Sequence, residues 1–272
     1  MVDRFFTGWE MAMWPYLMRE PFPIGTYGLM AALGFFTAQW LLARELGRRG
    51  FDRRHADTIV LLSVLGGFLG AKLAYVLTET PSFSWSDFFS GSGLTWHGGL
   101  ILAAALNIGF FLWKRLPLRA MTDAVAPMLA SGYAFGRLGC FLSGDGCYGL
   151  PCKPGDLDEA LCMPFPQGIV PTELAVHPTP LYEAAVNFLL FGVLWRLRAR
   201  VAPGVLFALY LVGSGVLRFL IEYIRRPDER PDRLFGLRDA HLVAAAQVAL
   251  GLLLLLAALL ASRSRVRAAA RA

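Results

Sequence analysis

Charged side chains are scarce in this chain of 272 residues: Asp, Glu, Lys and Arg together make up 17%, while 56% of the residues are hydrophobic. A soluble globular domain usually has a charged fraction of about 25%. The composition therefore excludes an ordinary soluble domain and favours a membrane protein. The formal net charge of +6 needs no nucleic-acid partner to explain it, because most positive residues lie in short segments between apolar stretches.

Several other features are lacking. The first 21 residues do not have the basic, apolar and small-residue order of a cleavable signal peptide. We expect an amphipathic entry segment there, with Trp9, Trp14 and Tyr16 as interfacial anchors. No inverted repeat is apparent, and polar residues are not spread through the apolar stretches, which disfavours a transport path. No motif requires a metal or a soluble cofactor, so we expect neither.

Seven apolar stretches are each long enough to span about 30 Å of hydrocarbon. They predict an all-α polytopic membrane protein with seven transmembrane helices, forming a single membrane-embedded domain over residues 1–272. The predicted spans lie near residues 22–43, 56–77, 94–113, 121–142, 178–196, 203–224 and 240–261.

The distribution of positive charge predicts the orientation. With the amino terminus outside, the cytoplasmic segments hold fifteen of the 26 Lys and Arg residues and the outer segments hold eight. The positive-inside rule therefore favours an outside amino terminus and a cytoplasmic carboxyl terminus. The Gly- and Pro-rich residues 143–176 become a periplasmic loop, which we expect to act as a lid or a recognition surface. The cytoplasmic segments are 44–54, 114–119, 196–200 and 263–271.

Three cations, Lys72, Arg137 and Arg218, lie inside the predicted spans. A cation at membrane depth costs about 2.5 to 3.5 kcal/mol on insertion scales, so it usually marks a functional site. In the predicted orientation these cations lie in the outer leaflet, at the depth of several other polar residues. The sequence therefore predicts a cavity open to the outer leaflet that binds something anionic. The other polar residues are Tyr27, His97, His177, Tyr182 and Glu183.

Two motifs define the predicted cavity. His97 is followed by two glycines at the start of a helix, where glycine permits the close approach of a substrate or a neighbouring backbone. Arg218, Glu222 and Arg225 are spaced at i, i+4 and i+7, so a continuous helix places them on one face. A carboxylate between two guanidinium groups orients both, and we expect the two arginines to bind a phosphate bidentately.

Six blocks in order resemble the bacterial prolipoprotein diacylglyceryl transferases: IGTYGLM, GAKLAYVL, WHGGLI, AFGRLGCFLSGD, HPTPLYE and LRFLIEYIRRPD. The resemblance implies an enzyme of the bacterial inner membrane, in contact with membrane lipids, that transfers the diacylglyceryl group of phosphatidylglycerol to a cysteine thiol. The acceptor is the lipobox cysteine in the signal peptide of a prolipoprotein, and glycerol phosphate is released. The resemblance implies roles in activity or lipid binding for Tyr27, His97, Arg137, Arg218, Glu222 and Arg225, and we add Asp145 to the substrate-binding residues.

The chain departs from the family's usual signature, G-R-[ILV]-G-N-F-x-N-G-E, at two positions that bear on the site. Cys140 replaces the first asparagine, and Asp145 replaces the glutamate. Cysteine cannot supply the donor and acceptor pair of an amide. A divergent membrane lipid-binding or transport protein of the same fold, without the transferase activity, is therefore the alternative function. Lys72 stands where many relatives carry arginine, which keeps the charge but loses the planar fork.

Roles can be assigned from the chemistry. Arg137 and Arg218 are predicted to stabilise the departing phosphate in a site of low dielectric constant. His97 is predicted to be the general base for the thiol, or else a hydrogen-bond partner of the lipid head group. Simpler interpretations remain open: the Arg218 cluster as a structural ion network, Tyr27 as an interfacial aromatic and Lys72 as a snorkelling side chain. His177 and Glu183 are predicted to be structural.

Four cysteines lie in or just before the predicted periplasmic loop: Cys140, Cys147, Cys152 and Cys162. An oxidising periplasm permits disulfides, and a bridge between Cys147 and Cys152 closes a small loop, with Cys162 as an alternative partner. Zinc binding is a further alternative, although paired C-x-x-C spacing is absent. We expect Cys140 to lie within a helix and to remain unbridged.

Overall fold

The structure is a computed structural model of the whole chain. It describes residues 14–18, 20, 24–78, 95–153, 155, 159–225 and 237–269. The chain divides into two compact units, of which the larger comprises Met1–Thr37 with Val125–Ala272, and the smaller comprises Ala38–Ala124. Each unit is described by itself below.

Seven α-helices account for most of the described residues, which confirms the predicted helical membrane protein. They are α1 (Thr26–Arg48), α2 (His55–Thr78), α3 (Trp96–Trp113), α4 (Leu118–Ser143), α5 (Thr179–Leu197), α6 (Val205–Ile221) and α7 (Asp239–Ala269).

Among the described residues, five helices are long and apolar enough to cross a membrane: α1, α2, α3, α4 and the Asp239–Ser262 part of α7. Helix α6 is apolar but has only 17 residues. Each predicted span coincides with a helix to within about five residues at either end, except that α7 continues to Ala269. The agreement is close because apolar runs bounded by charge and turn residues mark helix ends well. The number of spans and the orientation stay predictions.

In the smaller unit, glycines bring α2 and α3 into close contact. A Cβ atom added to Gly99 would lie 2.6 Å from the carbonyl oxygen of Gly67, and one added to Gly66 would lie 2.7 Å from the Cα atom of Ala103. Gly70 and Gly98 face each other in the same way. The two glycines after His97 therefore approach a neighbouring backbone, which is one of the two predicted possibilities. Membrane helix pairs commonly have small residues at such an interface.

In the larger unit, the predicted periplasmic loop is an ordered fold rather than a plain connection. Its strands β3 (Met163–Phe165) and β4 (Thr172–Val176) pair antiparallel, with Met163 opposite Val176 and Phe165 opposite Thr172. A core of buried apolar residues holds the hairpin against the end of α4. This core contains Phe141, Tyr148, Met163, Phe165 and Val176.

The same loop is tied to the end of α6 through Gly149. Gly149 pairs with Arg225 in an antiparallel bridge, and the N–H group of Leu150 donates to the carbonyl oxygen of Ile224 at 2.9 Å. A Cβ atom at position 149 would lie 2.6 Å from that Ile224 oxygen, so only glycine fits there. This contact places the loop residues after α4 next to the arginine that follows α6.

The predicted amphipathic entry segment contains a β-strand. Strand β1 (Tyr16–Met18) pairs antiparallel with β2 (Ile24–Gly25), immediately before α1. Trp14 and Tyr16 are exposed, as interfacial anchors require, whereas Trp9 lies outside the described residues. The two short sheets also correct the strictly all-α prediction.

Candidate functional site

Arg137 lies one and a half turns before the end of α4 and is held by two neighbouring side chains. Its Nε atom lies 2.9 Å from Oε2 of Glu183 on α5, and its Nη2 atom donates to the Tyr133 hydroxyl at 2.8 Å. The Tyr133 hydroxyl in turn donates to the same oxygen of Glu183. Glu183 is only 5% exposed. A buried carboxylate and a tyrosine thus orient one edge of the guanidinium group.

This arrangement changes the interpretation of Glu183, which the sequence predicted to be purely structural. Glu183 is structural in that it joins α5 to α4, but its partner is the arginine of the predicted site. Tyr133 was missed by the sequence reasoning. Its signal was its position four residues before Arg137, which places both side chains on one helix face.

Arg218 and Glu222 form the second charged group, at the end of α6. Nη1 of Arg218 lies 2.5 Å from Oε2 of Glu222, as the i, i+4 spacing predicts. The other Glu222 oxygen faces Nη1 of Arg238 at 3.4 Å, and the same nitrogen donates to the backbone oxygens of Glu222 at 3.0 Å and Arg225 at 3.2 Å.

The predicted arrangement around Glu222 is therefore wrong in one member: among the described residues, the second guanidinium group at Glu222 belongs to Arg238 and not to Arg225. The reason is that α6 ends at Ile221, so Arg225 lies beyond the last helical turn and leaves the predicted face. Arg238, just before α7, was missed. The only sequence signal for it was a cation directly before the apolar run of the last helix.

Arg225 instead contacts a group of sulfur and oxygen atoms at the end of α4. Its Nη2 atom lies 3.6 Å from Sγ of Cys147. The sulfur atoms of Cys140 and Cys147 and a carboxylate oxygen of Asp145 all lie within 4.8 Å of one another. We call these three residues the thiol–carboxylate cluster. It brings the predicted Asp145 together with both cysteines.

Electrostatics links this cluster to the rest of the site. A hydrogen bond with the Cys140 thiol, together with the positive charges of Arg137 and Arg225, holds the pKa of Cys147 below its usual value despite burial. Tyr27, on the first turn of α1, is within electrostatic range of the cluster and of Arg137. Its ring packs beside Gly139, where a Cβ atom would lie 3.1 Å from Cδ2 of the tyrosine. Tyr27 is 49% exposed, so it is also available to a ligand.

His97 and Lys72 belong to the smaller unit. His97 is the second residue of α3, is exposed, and packs edge-on against Trp96 with ring centroids 5.3 Å apart. Its role as a base stays a prediction. Lys72 is only 2% exposed, so the snorkelling interpretation is wrong: the cation is enclosed by protein.

The disulfide of the loop joins Cys152 and Cys162, while Cys140 and Cys147 are free thiols. The bridge between Cys147 and Cys152 is therefore wrong, and Cys162 is the partner of Cys152. The reason is the sheet, since Pro151 and Met163 both pair with Val176 and bring the adjacent cysteines together. His177 lies beside this bridge, with Nδ1 3.5 Å from Sγ of Cys162.

Comparison with known proteins shows the family of the chain. The family described as prolipoprotein diacylglyceryl transferase matches residues 15–257. The chain belongs to this family. A relative from Leptospira interrogans, named phosphatidylglycerol–prolipoprotein diacylglyceryl transferase, is 32% identical over 254 residues, covering 83% of this chain and 79% of the relative.

Two further relatives carry the same name. The one from Bordetella parapertussis is 34% identical, covering 76% of this chain and 80% of the relative, and the one from Cupriavidus pinatubonensis is 31% identical, covering 86% and 85%. The chain is therefore an enzyme, a transferase of lipoprotein biosynthesis, and its apolar helices suit a membrane protein. In this chain, the segment that matches the family signature carries Arg137 and also two members of the thiol–carboxylate cluster, Cys140 and Asp145, which replace the family's usual residues.

Proposed function

We propose that this transferase moves the diacylglyceryl group of phosphatidylglycerol to the lipobox cysteine thiol of a prolipoprotein. The thiolate sulfur attacks the glycerol carbon that carries the phosphate, and a thioether bond forms as the carbon–oxygen bond breaks. The electron pair of that bond leaves with glycerol phosphate, and the thiol proton passes to a base, for which His97 is the candidate. The names of the relatives support both substrates.

The observation that carries the proposal is the fixed orientation of Arg137. Glu183 and Tyr133 contact its Nε and Nη2 atoms. Within the described part of the chain its Nη1 atom makes no hydrogen bond, so this edge is available to a phosphate oxygen. A pre-oriented donor beside the position where negative charge develops lowers the barrier without further reorganisation. Arg218, oriented by Glu222, is proposed to act in the same way.

The membrane placement is part of the same proposal. Seven spans with an outside amino terminus put Arg137 and Arg218 in the outer leaflet of the inner membrane. Both substrates are confined to that surface at high local concentration, and the fixed geometry favours their encounter. Tyr27, Asp145 and Arg225 are proposed to contact the head group, because they surround the end of α4 that carries Arg137.

The test uses detergent-purified protein, phosphatidylglycerol and a synthetic lipobox peptide. Arg137→Ala and Arg218→Ala are each expected to lower transfer by at least about a hundredfold, the loss typical of one preorganised oxyanion donor. Release of glycerol phosphate and the mass gain of the peptide are both measured. Arg200→Ala, which removes an exposed arginine after α5, is the matched control and is expected to retain activity.

Wild-type turnover by either variant would contradict the assignment. Lipid binding by the wild-type protein, without glycerol phosphate release or peptide mass gain, would instead favour the lipid-binding or transport alternative.

A further inference from the structure

The thiol–carboxylate cluster has the donor atoms of a metal site. Two sulfur atoms and one carboxylate oxygen, from Cys140, Cys147 and Asp145, lie within 4.8 Å of one another. In a tetrahedral zinc site with Zn–S bonds of about 2.3 Å, neighbouring ligand atoms are about 3.8 Å apart. The observed separations therefore need to shorten by no more than about 1 Å. Side-chain rotation alone supplies a movement of this size.

The backbone holds the three donors in place before any ion arrives. Cys140 lies in the last turn of α4, and the N–H group of Gly144 donates to its carbonyl oxygen at 3.0 Å. Gly144 and Gly146 have φ angles of +59° and +88°, which turn the chain back toward the helix end. Oδ1 of Asp145 accepts the N–H group of Cys147 at 3.1 Å, so the backbone of the turn fixes the carboxylate beside the two sulfur atoms.

The neighbouring guanidinium group of Arg225 favours the ligand form of Cys147. Only the thiolate binds a metal strongly, and nearby guanidinium groups stabilise it. Nη2 of Arg225 lies 3.6 Å from Sγ of Cys147, in position to donate to a metal-bound sulfur. Two thiolates and one carboxylate carry three negative charges, so a bound divalent cation leaves the group anionic beside Arg137 and Arg225. The arginines therefore stabilise the complex rather than repel it.

The second cysteine group is unsuited to the same role. Cys152, Cys162 and His177 are also close together, but the two sulfur atoms are joined in a disulfide. A disulfide sulfur has no thiolate charge to give to a metal. Two of the positions at which the chain departs from the family signature, Cys140 and Asp145, belong to the thiol–carboxylate cluster.

We propose that Cys140, Asp145 and Cys147 bind a thiophilic divalent cation of the zinc class, at the end of α4. Three protein ligands leave the fourth tetrahedral position to water or to a substrate atom. The site goes beyond the proposed transfer reaction, and its test does not depend on that reaction.

The test is a titration with Co²⁺ of the whole protein, purified without a reductant so that the Cys152–Cys162 bridge stays closed. We expect one Co²⁺ per chain, a sulfur-to-cobalt charge-transfer band in the near ultraviolet, and displacement of the band by Zn²⁺. Cys140→Asn and Cys147→Ser each remove one sulfur ligand. Each is expected to weaken the band and to lower the affinity at least about tenfold, since even an outer ligand contributes that much.

The matched control is the Cys152→Ser/Cys162→Ser double variant, which removes the other cysteine pair and is expected to keep the band. Thermal unfolding of every variant establishes that it is folded. Three results would overturn the proposal. The first is the absence of a cobalt band in a protein whose two free thiols react with a thiol reagent, and the second is a full band in a folded Cys140→Asn/Cys147→Ser variant. The third is a disulfide between Cys140 and Cys147 in the protein purified without a reductant.

Discussion

At the residue scale, the arginines of the site depend on partner side chains that the sequence alone did not assign to them. Tyr133 and Glu183 decide which edge of Arg137 faces outward, and Arg238 shares Glu222 with Arg218. In a site of low dielectric constant a guanidinium group without such partners is costly and poorly oriented. Activity should therefore respond to the partners nearly as strongly as to the arginines.

Glu183→Gln tests this dependence. The amide keeps the size of the side chain but loses the negative charge that accepts the Tyr133 hydroxyl and forms the ion pair with Nε of Arg137. The loss of a charged hydrogen bond of about 2 kcal/mol corresponds to a decrease of about thirtyfold in kcat/KM. Transfer to the lipobox peptide is measured, with Glu173→Gln on exposed β4 as the control. Equal activity of the two variants would remove Glu183 from the site.

Arg218→Lys tests the geometry of the second arginine. Lysine preserves the charge, but its ammonium group cannot pair with Glu222 and a phosphate in the planar manner of a guanidinium group. Transfer by Arg218→Lys should therefore fall at least about tenfold, nearer to Arg218→Ala than to the wild type. The same assay measures kcat and KM for all three proteins, and near-normal kinetics of the lysine variant would show that charge alone suffices.

The Cys147 thiol gives a prediction about the pH dependence of its alkylation. Its pKa is lowered by the Cys140 hydrogen bond and by Arg137 and Arg225, so its thiolate is present at lower pH than that of an ordinary cysteine. Alkylation by iodoacetamide, followed by mass spectrometry of Cys147, should reach half its maximal rate below the usual thiol pKa. In Arg225→Ala one stabilising charge is gone, so the midpoint should move to higher pH. An unchanged midpoint would contradict the contact.

Cys140→Asn is expected to keep or to raise transfer activity, because it restores the amide of the family signature and breaks no bridge, Cys140 being free. Product formation by the folded variant is compared with the wild type. An inactive but stable Cys140→Asn protein would mean that the cysteine has a role in transfer that an amide cannot replace.

At the element scale, helices were predicted well and their ends less well. The seven apolar runs determined the helices because the bilayer length and the flanking charges limit each one. The end of α6 at Ile221 was not predictable, since Glu222 to Arg225 are compatible with a helix and are turned aside by the bridge to Gly149. The β3–β4 hairpin was missed because its strands are short and its apolar core draws on residues far apart in the chain.

The pairing of α2 with α3 predicts that alanine substitutions at two glycines of α3 have markedly different effects on stability. Gly99→Ala places a methyl group against the Gly67 carbonyl, and overpacking of this kind costs about 1 to 3 kcal/mol. Gly109→Ala, in the same helix, meets nothing within 4 Å and should be neutral or stabilising by up to about 1 kcal/mol. Thermal unfolding in detergent compares the two variants, and equal stability would contradict the close packing.

At the scale of the whole molecule, the disulfide and the positive charges make the same prediction about topology. Disulfides form in oxidising compartments, so the bridge predicts that Cys152 and Cys162 lie outside the cytoplasm. Arg48, Arg49, Arg53 and Arg54 around the α1–α2 turn favour the cytoplasm for residues 44–54. A reporter inserted in residues 44–54 should be cytoplasmic and one in residues 143–176 periplasmic. Reversal of both would overturn the outer-leaflet position of the site.

The glycines that join α2 and α3 have a consequence for how the family's motifs are read by mutational scanning. Any side chain at Gly98 or Gly99 collides with the opposite helix, so a scan scored by growth alone will rank both glycines beside His97 as if all three touched the lipid. Variants at the two glycines would grow poorly because less protein is present, whereas a variant at a catalytic His97 would lose activity while the protein level stays normal. A histidine–glycine–glycine signature in a membrane enzyme thus combines two selective pressures, and only a scan that records protein level together with growth separates them.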